Sequence, residues 1–116
     1  MIDKTRTCAF TGHRPEKLTL SAEELEIRLE TAIRQAITNG YDTFVHGAQR
    51  GVDLIAAMTV LRLKKEYPRI RLITAIPFEG FDRDFEPEWK AALDLAKKSS
   101  EAVITVSKSR GKAGFF

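Results

Sequence analysis

Glycine and arginine recur together in two short segments of this 116-residue chain, in combinations that suit an anionic ligand. The first segment, residues 11–15, reads TGHRP, and the second, residues 47–53, reads GAQRGVD. Glycine allows the backbone to turn tightly and to bring its N–H groups close to a ligand, and a guanidinium pairs well with phosphate. Together with a third segment at residues 77–78, they predict a ligand site. The candidate ligand-binding residues are Thr11, Gly12, His13, Arg14, Gly47, Arg50, Gly51, Asp53, Pro77 and Phe78.

Proton transfer is a second chemistry that this sequence suggests. His13 and His46 have the residue type that titrates near neutral pH, but neither has an identifiable partner, so we expect positioning roles and no catalytic residue. Asp53 falls near the start of a predicted helix, where the helix dipole favours a carboxylate whatever the function. No group of His, Cys and carboxylate residues has the spacing of metal ligands, so no metal is expected.

The spacing of the glycines leaves a structural interpretation open. Neither the G-x-G-x-x-G fingerprint nor the G-x-x-x-x-G-K-[ST] phosphate loop is present. Gly12, Gly47 and Gly51 would then only end strands and start helices. The predicted convergence of all three segments favours a ligand site over that alternative.

The elements that must position these segments alternate between short apolar runs and helical periodicity. The predicted strands are 6–11, 43–46, 70–76 and 102–106, with Pro77 ending the third. Helices are predicted to run from the Ser21/Glu24 capping box to Asn39-Gly40, over 51–67 and over 87–98, and Leu20 with Leu25 has the spacing of a hydrophobic staple. This order predicts the α/β class, as a Rossmann-like three-layer sandwich with a mainly parallel sheet of about four strands. In such sheets ligands bind beyond the carboxyl ends of the strands, where the three segments would lie.

Composition excludes several classes of protein. The chain is predicted to be one domain over residues 1–106 with a basic tail over 107–116, and no apolar run is long enough to span a membrane, so a cytoplasmic location is expected. The net charge of +3 equals the charge of Lys108, Arg110 and Lys112 in the tail, which argues against direct nucleic-acid binding. The single cysteine, Cys8, is expected to be a buried strand residue.

An acidic segment, EGFDRDFEPE at residues 79–88, suggests an alternative function. It holds five acids against one arginine, with aromatic residues between them, and could imitate a phosphate backbone toward a basic groove. The candidate partner-binding residues there are Phe81, Asp82, Asp84 and Phe85. A solvated acidic loop with both phenylalanines packed beneath it is the structural interpretation, and it is favoured.

The sequence resembles a known family in CAFTGHRPEKL, HGAQRGVDLIAA and LKKEYPRIRLITAIPFEGF, over about residues 4–106. These motifs are similar to those of the YpsA-like group of bacterial and phage proteins in the SLOG superfamily. The resemblance implies a Rossmann-like fold and a non-enzymatic module that binds a nucleotide or nucleotide-derived ligand, with no further cofactor identified. Its pocket positions match Gly12, His13, Arg14, Gly47, Gly51 and Asp53.

The chain departs from that family after Val106. Members continue into a further strand and a second glycine-rich loop, and relatives that hydrolyse nucleoside monophosphates carry P-G-G-x-G-T-x-x-E, which is absent here. The resemblance therefore leans against hydrolase activity. A shortened sheet would leave residues 102–106 at an edge, which predicts self-association or a protein partner there. The alternative function is that of a phage or mobile-element protein that inhibits a host nucleic-acid-targeting defence, in the manner of an anti-CRISPR protein, through protein contacts.

Overall fold

A computed structural model describes residues 6–10 and 21–107 of the chain. Its elements are β1 (Thr7–Phe10), α1 (Ala22–Thr38), β2 (Thr43–His46), α2 (Val52–Leu63), β3 (Arg71–Phe78), α3 (Pro87–Ser99) and β4 (Ala102–Ser107). The predicted alternation of strands and helices is confirmed, as is the α/β class. The division of the chain at residue 106 stays a prediction.

The four strands form one parallel sheet in the order β1-β2-β3-β4. Phe10 pairs with His46, and His46 pairs with Thr74, so the carboxyl ends of β1 and β2 meet the middle of β3. The carboxyl end of β1 and the loops that follow β2 and β3 therefore lie at the same edge of the sheet. This is the edge at which the sequence places its candidate ligand site.

One hydrophobic core joins all three helices to the sheet. It contains Ile33 of α1, Phe44 of β2, Val60 of α2, Leu72 of β3 and Ala96 of α3, together with neighbouring apolar side chains. Helix α2 lies between the other two, since it contacts both α1 and α3. This central position explains why its sequence is apolar on more than one side.

A second, smaller core lies beneath the candidate site. Ala48, Leu54 and Leu93 are fully buried in it, and Phe81, Phe85, Trp89 and Ala92 pack against them while partly exposed. This core connects the loop after β2 to the segment between β3 and α3.

The ends of β3 and α2 differ from the predicted ones by two residues or more. Strand β3 does not stop at Pro77 but continues to Phe78, which pairs with Ser107. The residue of β3 that pairs with the last residue of β2 is Thr74, so Pro77 lies beyond β2 and its missing N–H interrupts no pairing on that side. Helix α2 ends at Leu63 and not at Tyr67, because Lys65 and Glu66 donate to carbonyls three residues back, a tighter turn than the α-helix.

Helix α1 begins where its capping signal predicts. The Oγ of Ser21 accepts a hydrogen bond from the N–H of Glu24 at 3.1 Å, and the helix ends before Asn39 and Gly40, which has a φ of 97°. Leu20, the other half of the predicted hydrophobic staple, lies outside the described residues. Strand β1 is shorter than predicted, starting at Thr7.

Candidate functional site

The loop between β2 and α2, residues 47–51, forms the part of the candidate site that the structure describes. Its backbone takes left-handed conformations at two positions, Ala48 with a φ of 67° and Gly51 with a φ of 88°. Glycine adopts this region freely, but for alanine it costs about 1–2 kcal/mol. The surroundings of Ala48, which is fully buried, must therefore hold it there.

His46, the last residue of β2, holds this turn in place. Its Nδ1 accepts a hydrogen bond from the backbone N–H of Ala48 at 3.1 Å. On the other side of the ring, Nε2 lies 2.7 Å from the Oγ1 of Thr74, which lies 2.6 Å from the Oγ of Ser100. The Ser100 hydroxyl in turn donates to the carbonyl of Ala96 at 2.6 Å.

The groups at the two ends of this series of hydrogen bonds fix the positions of its protons. Ser100 uses its only proton on a carbonyl, so it accepts from Thr74, and Thr74 accepts from the Nε2–H of His46. Since Nδ1 is an acceptor, the imidazole is neutral. Burial also lowers the pKa of His46 from 6.5 to about 4. Both ring nitrogens of His46 are thus used within the protein, and neither is left for a substrate.

Asp53 is the most unusual group of the site. Its residue is 4% exposed, and burial raises the pKa of its carboxyl from 3.8 to about 6. The Oδ2 atom accepts a hydrogen bond from the N–H of Gln49 at 3.3 Å, and the backbones of Gln49 and Gly47 oppose the rise in the pKa of the carboxyl. Its other oxygen, Oδ1, is buried and has no hydrogen-bond partner in the part of the chain that the structure describes.

These contacts change the chemistry that the loop can offer. The sequence suggests that its backbone N–H groups would meet an anion. In the structure Asp53 accepts the N–H of Gln49, and His46 accepts the N–H of Ala48. Two of the loop's donors are thus used within the protein, and Asp53 adds a buried acceptor, Oδ1, beside them.

Arg50 joins this loop to the segment after β3. Its guanidinium forms an ion pair with Glu86 at 2.8 Å and lies over the ring of Phe85, with 5.4 Å between the guanidinium carbon and the ring centre. Hydrogen bonding to Arg50 lowers the pKa of Glu86. The loop after β2 is therefore joined to the acidic segment 79–88, through a contact that the sequence analysis missed because it treated Arg50 only as a ligand residue.

The aromatic residues of the third loop pack on one another. The rings of Phe78 and Phe81 meet edge to face at 6.2 Å, as do those of Phe81 and Phe85 at 5.4 Å. Pro77 is buried, while Asp82 is half-buried and Asp84 is exposed. Such packing of the phenylalanines is what the structural interpretation of the acidic segment expects. The role of Phe81, Asp82, Asp84 and Phe85 in partner binding stays a prediction.

The remaining predicted site residues are those of the first segment and Gly51. Thr11, Gly12, His13 and Arg14 lie outside the described residues, whereas Gly51 is buried directly before α2. Cys8 is half-buried, and burial raises the pKa of its thiol.

The described ranges contain no group of three or more His, Cys, Asp or Glu side chains that could hold a metal ion. Within the same ranges, no helix combines the length and the apolar character needed to cross a membrane.

Comparison with known proteins gives a consistent family. A family model described as the YspA SLOG family matches residues 8–115. The UPF0398 protein of Leuconostoc citreum is 29% identical over 104 residues, which cover 84% of this chain and 55% of that protein. The UPF0398 proteins of Bacillus velezensis and Oceanobacillus iheyensis are 29% and 32% identical, over 85% and 82% of this chain and 54% and 51% of their own lengths. The chain thus spans about half the length of these relatives.

Proposed function

Since the chain belongs to the YspA SLOG family, we propose that this SLOG-type module binds a nucleotide or nucleotide derivative at the carboxyl edge of its sheet and carries out no reaction on it. The observation that carries the proposal is the buried carboxylate of Asp53, whose Oδ1 has no partner among the described residues. An unsatisfied buried acceptor costs about 1–3 kcal/mol, and it is a group that a ligand can satisfy.

The chemistry of the loop indicates which part of the ligand Asp53 meets. A carboxylate repels a phosphate, and the N–H groups of Ala48 and Gln49 already bond side chains of the protein. Oδ1 suits a hydrogen-bond donor such as a ribose hydroxyl or an exocyclic amino group of a base. The phosphate would then bind the segment of Gly12, His13 and Arg14, whose residue types suit an anion.

The absence of a reaction rests on the state of the titratable groups. Both ring nitrogens of His46 are hydrogen-bonded within the protein. Asp53 is the exception, because a raised pKa is also a property of acid–base catalysts. The test must therefore follow both binding and turnover.

A thermal-shift screen tests the proposal. The probes are ribonucleoside monophosphates and diphosphates, ADP-ribose, cyclic nucleotides, the matching nucleosides and the free bases. A ligand at 100 times its dissociation constant stabilises the folded state by about 2.7 kcal/mol. Chromatography of the same mixtures after prolonged incubation should recover the ligand unchanged, and conversion of the ligand would overturn the non-enzymatic part of the proposal.

Two variants separate the binding of the nucleoside part of the ligand from the binding of its phosphate. Asp53→Asn should abolish stabilisation by nucleosides and nucleotides alike, whereas Arg14→Ala should abolish the preference for nucleotides over nucleosides. Asp94→Asn is the matched control, because it makes the same chemical change at an exposed position of α3. A ligand shift that survives Asp53→Asn unchanged would contradict the assignment of Asp53.

A further inference from the structure

Strand β4 has an unusual exposure for a strand of a parallel sheet. In the described sheet it pairs only with β3, over Ile73↔Ala102 to Phe78↔Ser107. All five residues from 102 to 106 are exposed. The exposed fractions of Val103, Ile104 and Val106 are 44%, 41% and 38%, and these are three of the six exposed large hydrophobic residues in the described ranges.

The apolar surface of β4 continues that of its neighbour. Because paired residues share a face, Ala102 and Ile104 lie on the same face of the sheet as Ile73 and Ala75 of β3. Ile73 and Ala75 are 5% and 8% exposed, so the burial of this face decreases steeply from β3 to β4. The apolar strip therefore extends to the edge of the described sheet.

Edge strands normally carry features that prevent pairing with another chain, such as charges, proline, a bulge or short length. The sequence of β4, AVITVS, has six residues and contains no charge, proline or glycine. The other edge differs: β1 has four residues, two of which, Cys8 and Phe10, pack against the main core, and the preceding Arg6 pairs with Asp42 at 3.5 Å. The capacity for pairing is thus concentrated at β4.

We propose that β4 is the interface of a symmetric dimer, in which two copies of this chain pair their β4 strands antiparallel and form a continuous eight-stranded sheet. A register centred on Ile104 places Ile104 opposite its equivalent, Val103 opposite Thr105, and Ala102 opposite Val106. Every pair then joins small, β-branched or apolar side chains, which stabilise neighbouring strands.

The charges beside the strand favour a second copy over an unrelated partner. In the sequence β4 is preceded by Glu101 and followed by Lys108. Antiparallel pairing places the two Glu101 residues at opposite ends of the paired strands, whereas parallel pairing would set these like charges side by side. The strand is therefore complementary to itself in the antiparallel direction.

The test measures mass and proximity in the same 116-residue chain. Light scattering and sedimentation over a wide range of concentrations should give twice the 13.1 kDa of one chain, and Ile104→Lys should give the single-chain mass with unchanged circular dichroism. Ala9→Lys is the matched control, since it places the same charge at an exposed position of the other edge, and it should remain dimeric.

Crosslinking identifies the interface independently of mass. In a Cys8→Ser background, Ile104→Cys should form a covalent dimer with a short bismaleimide, and Ala9→Cys should not. A single-chain mass at every concentration would overturn the proposal. So would a dimer that persists in Ile104→Lys or is crosslinked only through position 9. Because nucleotide binding does not depend on this edge, either result leaves the proposed function to its own test.

Discussion

The Nδ1 of His46 accepts the backbone N–H of Ala48 at 3.1 Å, and this bond holds a non-glycine residue at a φ of 67°. Since Nε2 of the same ring donates to Thr74, the imidazole connects the turn to β3, and through Ser100 to the end of α3. The shape of the site loop therefore depends on a neutral histidine inside the fold.

Replacing this histidine should be costly. His46→Leu leaves the Ala48 N–H without its acceptor and Thr74 without its donor, and each lost partner costs about 1–3 kcal/mol. We expect a loss of about 3 kcal/mol in the free energy of unfolding by urea. His46→Asn keeps an acceptor near Ala48 and should lose less. Equal losses in the two variants would show that the bond to Ala48 is not important.

The dependence of stability on pH should reveal two opposing groups. The pKa of Asp53 is raised in the folded state, from 3.8 to about 6, so its stabilising contribution is present below pH 3.8 and is lost as the pH rises through 6. The pKa of His46 is lowered, from 6.5 to about 4, so its contribution is present above pH 6.5 and is lost as the pH falls through 4. Each corresponds to roughly 3 kcal/mol, and their effects cancel over much of pH 4–6.

In Asp53→Asn the effect of His46 on the pH dependence of stability should no longer be cancelled. The stability of this variant should rise from pH 4 to pH 6.5, where that of the parent protein changes little. At pH 7 the variant should be more stable by about 1 kcal/mol, because removing the buried charge outweighs leaving the new amide N–H groups unpaired. Urea unfolding at several pH values measures both effects, and parallel pH profiles for the two proteins would contradict them.

The ion pair of Arg50 with Glu86 should make a small, salt-dependent contribution. The carboxylate is at the surface, so Glu86→Gln should lower the free energy of unfolding only slightly at low salt and less at high salt. Arg50→Ala should cost more, since Phe85 also loses the guanidinium over its ring. Urea unfolding at two salt concentrations checks this, and equal costs for the two variants would show that the ring contact adds nothing.

The cap of α1 offers a further prediction. Ser21→Ala removes the acceptor of the Glu24 N–H and should lower the free energy of unfolding by about 1 kcal/mol. Ser21→Asp keeps an acceptor and adds a charge that suits the helix N-terminus, so it should retain the parent's stability. An unchanged midpoint in Ser21→Ala would show that the cap does not contribute.

The fold could be predicted from sequence because local signals and burial agree in most elements. The Ser21 cap, the Asn39-Gly40 stop and the run of residues 43–46 each correspond to an observed boundary. Pro77 was misleading because its effect depends on a neighbouring strand, and β2 ends before reaching it. Residue type alone does not show how far an adjacent strand extends.

The site was predictable only in part. The position of Gly47, Gly51 and Asp53 at the carboxyl edge follows from strand order, but which donors the carboxylate takes depends on the left-handed turn at Ala48. The side-chain hydrogen bonds from His46 through Thr74 to Ser100 join three separate elements, and no spacing in the sequence indicates these bonds. The pairing of Arg50 with Glu86 likewise depends on tertiary structure.

The measurement that tests the account most directly is a calorimetric titration of the parent protein and of Asp53→Asn with the nucleotide that gives the largest thermal shift. Loss of the Asp53 acceptor should weaken binding at least tenfold, because a donor of the ligand is then left facing an amide. The dissociation constant of Asp94→Asn should match that of the parent. Equal affinities in the parent and Asp53→Asn, or no nucleotide that binds the parent at all, would contradict the central claim.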